Sequence, residues 1–162
     1  MKIALITGAT SGIGMATAKL FAAKGYKLIL CGRRTERLNE LKNELNTEVH
    51  TLTFDVRNRE DVFKALESIP TEFKDIDILL NNAGNAHGLS SIQNGNLDDW
   101  DAMMDGNVKG LLYVTKAILP NMIARNSGFI VNIGSVAAKE VYPNGNVYCA
   151  SKHAVDALSK SM

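Results

Sequence analysis

Short apolar runs alternate with amphipathic stretches along the whole chain. Ile3-Ala4-Leu5-Ile6 is a continuous apolar run that ends in glycines, the pattern of a strand buried on both faces of a parallel sheet. Met15–Lys24 is rich in good helix formers and is stopped by Gly25. Lys27–Gly32 reads as a second strand, and Thr35–Leu45 as a charged helix with Leu38, Leu41 and Leu45 on its buried stripe. Val49–Phe54 alternates like a strand and ends at Asp55-Val56, and Arg59–Ile69 forms the next helix, with Pro70 after it. Asp77–Leu80 is another apolar strand, running into Asn81-Asn82-Ala83-Gly84. Gly84–Asn96 is polar and reads as a surface loop. One long helix, capped by Asp98 or Asp99, then runs to Arg125. Asn107 stands in the middle of its apolar stretch, where it needs a partner if buried and is otherwise exposed. Gly128–Ile133 is the fifth strand, and a last helix carries Tyr148. The order βαβαβαβ predicts an α/β fold: a doubly wound parallel sheet with right-handed crossovers and helices on both faces.

Composition adds limits to this picture. With 162 residues, 46% hydrophobic and 22% charged, the chain suits a single domain over 1–162 with a real core. A net charge of +1 gives no footprint for nucleic acid or an anionic membrane. Cys31 and Cys149 are far apart and fit neither a disulfide framework nor a zinc site, and no metal-ligand spacing involves His50, His87 or His153. The first apolar run is too short for a signal peptide and no later run approaches a membrane span, so a cytoplasmic protein is expected. There are no internal repeats or low-complexity segments.

The candidate chemistry gathers where strands end. Thr7-Gly8-Ala9-Thr10-Ser11-Gly12-Ile13-Gly14 lies between a strand and a helix, an arrangement that offers free backbone N–H groups and a helix N-terminus to a pyrophosphate. Gly8 suits the tight turn, Gly12 the close backbone approach and Gly14 the packing of helix on sheet. The second strand ends in Gly32-Arg33-Arg34, with no acid to hold a ribose 2′-hydroxyl. Two arginines there can bind a 2′-phosphate, which favours NADP over NAD. Ser135 follows the fifth strand, on the sheet edge where ligands bind in open α/β folds; alone it would equally be a cap. Tyr148 and Lys152 are four apart, hence on one helix face. A fixed ammonium beside a phenol favours proton exchange near neutral pH, although the same spacing is found in any amphipathic helix.

Together, Thr7-Gly8…Gly12-Ile13-Gly14, Asn81-Asn82-Ala83-Gly84, Ser135 and Tyr148…Lys152, with Asn107 between, resemble the short-chain dehydrogenase/reductase family over the whole chain. Gly32-Arg33-Arg34…Arg37-Leu38, Asp55-Val56-Arg57-Asn58-Arg59, Asn132-Ile133-Gly134-Ser135 and Tyr142–Tyr148 are similar to its NADP-dependent 3-hydroxy acid (serine, allo-threonine) dehydrogenase branch. The resemblance implies a Rossmann-type fold and hydride transfer between NADP and the hydroxyl or carbonyl of a small 3-hydroxy acid. It implies Tyr148 as acid/base, Lys152 tuning it and binding the nicotinamide ribose, Ser135 holding the substrate oxygen, and Asn107 anchoring a water in a relay to Lys152. Ser11, Arg33 and Arg34 would contact the 2′-phosphate, and Asp55 and Val56 would flank adenine. Asn82, Ala83 and Gly84 would brace the sheet centre and touch the adenosine ribose; Gly8, Thr10, Gly12, Ile13 and Gly14 complete the cofactor set. Family members form homodimers or homotetramers and continue into further strands, a Pro-Gly loop and a substrate lid. A chain stopping at Met162 is therefore expected to be a fragment. Reduction of another carbonyl, such as a 3-ketoacyl thioester, and a non-catalytic NADP sensor stay open as alternatives.

Overall fold

The computed structural model describes all residues from Met1 to Met162. Five strands form one sheet: β1 (Ile3–Thr7), β2 (Lys27–Gly32), β3 (Val49–Thr53), β4 (Ile78–Asn81) and β5 (Phe129–Asn132). All neighbours pair in parallel, in the order β3-β2-β1-β4-β5. The helices are α1 (Gly12–Ala23), α2 (Thr35–Glu44), α3 (Arg59–Glu67), α4 (Leu97–Met104), α5 (Gly110–Ala124) and α6 (Asn146–Ser161). This is the predicted doubly wound α/β architecture.

The alternation of side chains across a strand divides the core into two layers. Ile3, Leu5, Ile29 and Leu79 point to one face and pack with Val62 and Leu66 of α3 and Val114, Ile118 and Met122 of α5. Their neighbours Ala4, Ile6, Leu28, Leu30 and Leu80 point to the other, against Ala18 and Ala22 of α1 and Leu38 and Leu41 of α2. Every residue of β1 is buried, as its unbroken apolar run requires. Strand order reverses at β1: the chain builds outward to β3, then returns to lay β4 on the other side of β1. Loops leaving β1 and β4 therefore diverge at their C-terminal ends and open a crevice.

The structure corrects several boundaries. α1 starts at Gly12, three residues before the expected Met15, because Ser11 is already extended (φ −164°) and the helix follows at once. Asp77 lies outside β4, and its carboxylate instead accepts the N–H of Ile3 at 2.8 Å. Asn96, rather than Asp98 or Asp99, caps α4: its side chain accepts the N–H of Asp98, and both aspartates fall in the first turn beyond it.

The expected single helix to Arg125 is interrupted. Residues Asp105–Lys109 form a π-helical turn between α4 and α5. A π turn accommodates one extra residue without breaking the helix axis, so a 3.6-residue hydrophobic pattern reads straight through it. Gly106 and Asn107 are buried within the turn. The sheet ends at β5, where Phe129 and Val131, two residues apart on one face, are 73% and 43% exposed.

Candidate active site and dinucleotide cleft

A cleft of about 590 Å³ lies along the C-terminal ends of the strands. Following the sheet order, it begins at Arg33, Arg34, Asp55 and Val56 beyond β2 and β3. It passes Gly8, Thr10, Ser11, Gly12 and Ile13 after β1 and Asn82, Ala83 and Gly84 after β4. It ends at Gly134, Tyr148 and Lys152.

The turn after β1 is tight because Gly8 and Gly12 both adopt positive φ, +66° and +52°. No atom lies within 4 Å of where a Gly12 Cβ would stand, so the backbone there is open to a ligand. Gly14 is different: a Cβ on it would strike Gly8 O and come within 2.5 Å of Asn82 Nδ2. Its lack of a side chain lets the first turn of α1 sit on the loop. Asn82 ties the two central strands together: Nδ2 donates to Thr7 O at 2.9 Å and Gly8 O at 3.1 Å. The N–H groups of Asn82 and Ala83 both donate to Thr7 Oγ1, each at 3.0 Å.

Three arginines stand at the far end of the cleft. Arg34 Nη2 donates to Thr10 Oγ1 at 2.6 Å and reaches Ser11 Oγ at 3.4 Å, which anchors its guanidinium to the glycine loop. Arg33 is largely exposed, with Nη1 3.6 Å from Asp55 Oδ2. Asp55 is held by Arg57, through Nε to both carboxylate oxygens and Nη2 to Oδ2 at 2.7 Å. Partial burial pushes the Asp55 carboxyl up, but the Arg57 hydrogen bonds and the charges of Arg57 and Arg33 outweigh it and leave its pKa below the usual value.

At the other end, Tyr148 and Lys152 occupy the first two turns of α6. Lys152 is buried, and its Nζ donates to Ile133 O at 2.9 Å and lies 6.0 Å from the Tyr148 ring centroid. Burial lowers the Lys152 pKa by disfavouring the charged form. Ser135 follows Gly134 and caps a short 3₁₀ turn (Val136–Ala138), its Oγ accepting the N–H of Ala137 at 3.1 Å. The Ser135 hydroxyl proton is not used by that bond and can be donated elsewhere.

Asn107 does not line the cleft and does not bond Lys152. Its Oδ1 accepts the N–H of Asn85 at 2.7 Å, and Nδ2 donates to Asn85 O at 2.9 Å and to Ser151 Oγ at 3.0 Å. Ser151, fully buried, passes its own proton to Tyr148 O at 2.8 Å. Asn107 thus joins the loop after β4, the π turn and the helix carrying Tyr148. Both amide hydrogens are spent, leaving one lone pair of Oδ1 for any relay. The sequence reading missed Ser151 and Asn85, since neither carries a residue type that signals a hub. A buried serine on the inward side of Tyr148-Cys149-Ala150-Ser151 was the available clue.

No group of three His, Cys, Asp or Glu side chains converges as a metal site. Cys31 and Cys149 are buried free thiols, and burial pushes Cys31 upward in pKa. No helix is long and apolar enough to cross a membrane.

A glycine turn at a sheet crevice, joined by one cleft to a Tyr–Lys pair on a helix, is the layout of an open, doubly wound α/β fold with its ligand cleft at the strand ends. Residues 2–162 match the short chain dehydrogenase family, and the chain belongs to it. It is 47% identical over 160 residues to the NADP-dependent 3-hydroxy acid dehydrogenase YdfG of Salmonella typhi, covering 99% of this chain and 64% of that protein. It is 49% identical over 148 residues to the serine 3-dehydrogenase of Rhizobium radiobacter, covering 91% of this chain and 59% of that protein. Among solved structures, a closed form of serine dehydrogenase complexed with NADP+ superposes with a TM-score of 0.93 at 47% identity, over 98% of this chain and 64% of that one. The chain therefore spans a little under two thirds of the length of these relatives.

Proposed function

We propose that the chain, as a single domain over 1–162, is the cofactor-binding and proton-transfer part of an NADP-dependent dehydrogenase acting on a small, serine-like 3-hydroxy acid. One observation carries the reading: a single cleft holds the arginines Arg33 and Arg34 at one end and Tyr148 with Lys152 at the other. The relatives' names, NADP-dependent 3-hydroxy acid dehydrogenase and serine 3-dehydrogenase, point the same way.

The residues present fit a dinucleotide phosphate. The open backbone at Gly12 and the helix N-terminus of α1 suit the pyrophosphate, and Arg33 and Arg34, with Ser11, suit the 2′-phosphate. Asp55 and Val56 would flank adenine, and Asn82 to Gly84 the adenosine ribose. NADP, when bound, supplies the hydride chemistry. Tyr148 Oη takes the hydroxyl proton during alcohol oxidation and returns it during carbonyl reduction. Lys152, fixed by Ile133 O, keeps a positive charge beside that phenol. Ser135 donates its free proton to the substrate oxygen and stabilises charge developing there. Asn107 acts through its bonds to Asn85 and Ser151. The enzyme is read as a cytoplasmic homodimer or homotetramer; the buried, reduced Cys31 and Cys149 and the exposed Leu112 and Ile123 on α5 support this.

The test is absorbance at the reduced nicotinamide band, using the full-length protein with NADP or NAD and serine, allo-threonine or other 3-hydroxy acids. Turnover with NADP and a 3-hydroxy acid is expected. NADP-linked turnover confined to ketoacyl thioesters would overturn the substrate assignment, and cofactor binding without any turnover would overturn the enzymatic one.

A further inference from the structure

Asp55 poses a problem for the cofactor reading. A carboxylate next to a 2′-phosphate site repels the phosphate and competes for the arginine meant to bind it. Its Oδ2 lies 3.6 Å from Arg33 Nη1, too long for a hydrogen bond but close enough for rotation of either side chain to make one.

The geometry at Asp55 shows what prevents that. The backbone N–H of Arg57 donates to Oδ1 at 3.0 Å, and Nε donates to Oδ1 at 3.1 Å and to Oδ2 at 3.0 Å. Nη2 adds a bond to Oδ2 at 2.7 Å. An ionised carboxylate offers about four lone-pair positions, and three Arg57 hydrogens, with the Nε–H shared between both oxygens, occupy most of that capacity. Arg57, two residues along the same loop, therefore takes every hydrogen bond that Asp55 accepts and leaves Arg33 only the looser ion pair. Arg33 makes no hydrogen bond to Asp55; its Nη1 stands 3.6 Å away in a loose ion pair, and the guanidinium stays two-thirds exposed at the cleft.

Resting on the NADP reading above, we propose that Arg57 is a specificity-positioning residue: by occupying Asp55 it keeps Arg33 free for the 2′-phosphate and so sets the preference for NADP over NAD. Arg57 acts through Asp55 and needs no contact with the phosphate. Without it, Asp55 turns to Arg33, forms the bidentate pair and presents its charge to the phosphate. NAD lacks that phosphate, and any loss at the adenine that both cofactors share cancels in the NADP/NAD preference.

The experiment compares dissociation and Michaelis constants for NADP and NAD in the full-length protein and its Arg57→Ala, Asp55→Asn and double variants. In Arg57→Ala the NADP/NAD preference is expected to fall about tenfold, the scale of one charge-assisted contact. Adding Asp55→Asn removes the competing charge, and the preference returns to within about threefold of wild type. A purely structural role for Arg57 would weaken both cofactors by the same factor and leave the preference unchanged, and a direct phosphate contact would leave the double variant unrescued. Either result overturns the inference while leaving the cofactor reading intact. A wild type without NADP preference overturns the cofactor reading and the inference with it.

Discussion

Lys152 holds its ammonium in a buried position, with one of its three hydrogens on the Ile133 carbonyl, and burial lowers its pKa. The folded chain therefore gives up this proton more readily than the unfolded chain, where the group titrates near ~10.4. Between those two values the unfolded state binds more protons, so stability rises with pH across that window, and below it the cost is fully present. Chemical denaturation without cofactor should show wild type gaining on Lys152→Met as pH climbs from 7 toward 10.5; parallel curves would mean that the ammonium is not desolvated. The partner residue is tested by function instead. Tyr148→Phe removes one oxygen, so turnover should drop by about 10²–10⁴-fold or more while NADP affinity, measured by fluorescence titration, stays within about twofold. Retained turnover would take the proton-transfer role from Tyr148.

The elements around the site differ in how visible they are before folding. β1, β2 and the glycine turn are legible because each follows from local chemistry: unbroken apolar runs and glycines whose φ or packing admits little else. The π turn at 105–109 is not, because its apolar positions continue the helical period on both sides and only Asn107 breaks it. The spacing of Tyr148 and Lys152 was readable, but the support beneath them was not. That support comes from Asn85, Asn107 and Ser151, which are 22 and 44 residues apart along the chain and meet only in the folded structure. Ser151→Ala would leave Asn107 Nδ2 with a buried, unpaired N–H. A loss of about 1–3 kcal/mol in urea denaturation is expected, with kcat falling because α6 loses its tie to the π turn. A loss below about 0.5 kcal/mol would mean that the bond is replaced locally, at a scale typical of surface changes.

At the scale of the whole molecule, the two faces of the sheet are not equally covered at its ends. β1 and its neighbours are sealed on both sides by helices, whereas β5 pairs only with β4 and shows Phe129 and Val131 to solvent. A strand edge with free N–H and C=O groups, flanked by apolar side chains, is a template for pairing with another chain. Neither side chain is charged, and the strand contains no proline or bulge to discourage such pairing. The 162-residue chain on its own is therefore expected to self-associate with rising concentration. Val131→Lys sets a charge on the exposed face of β5 without touching the buried core, so it should suppress association while changing stability by no more than about 0.5 kcal/mol. Sedimentation velocity over a concentration series decides the matter. If Val131→Lys associates as strongly as wild type, the contact lies elsewhere, and the exposed Leu112 and Ile123 on α5 become the surface to mutate next.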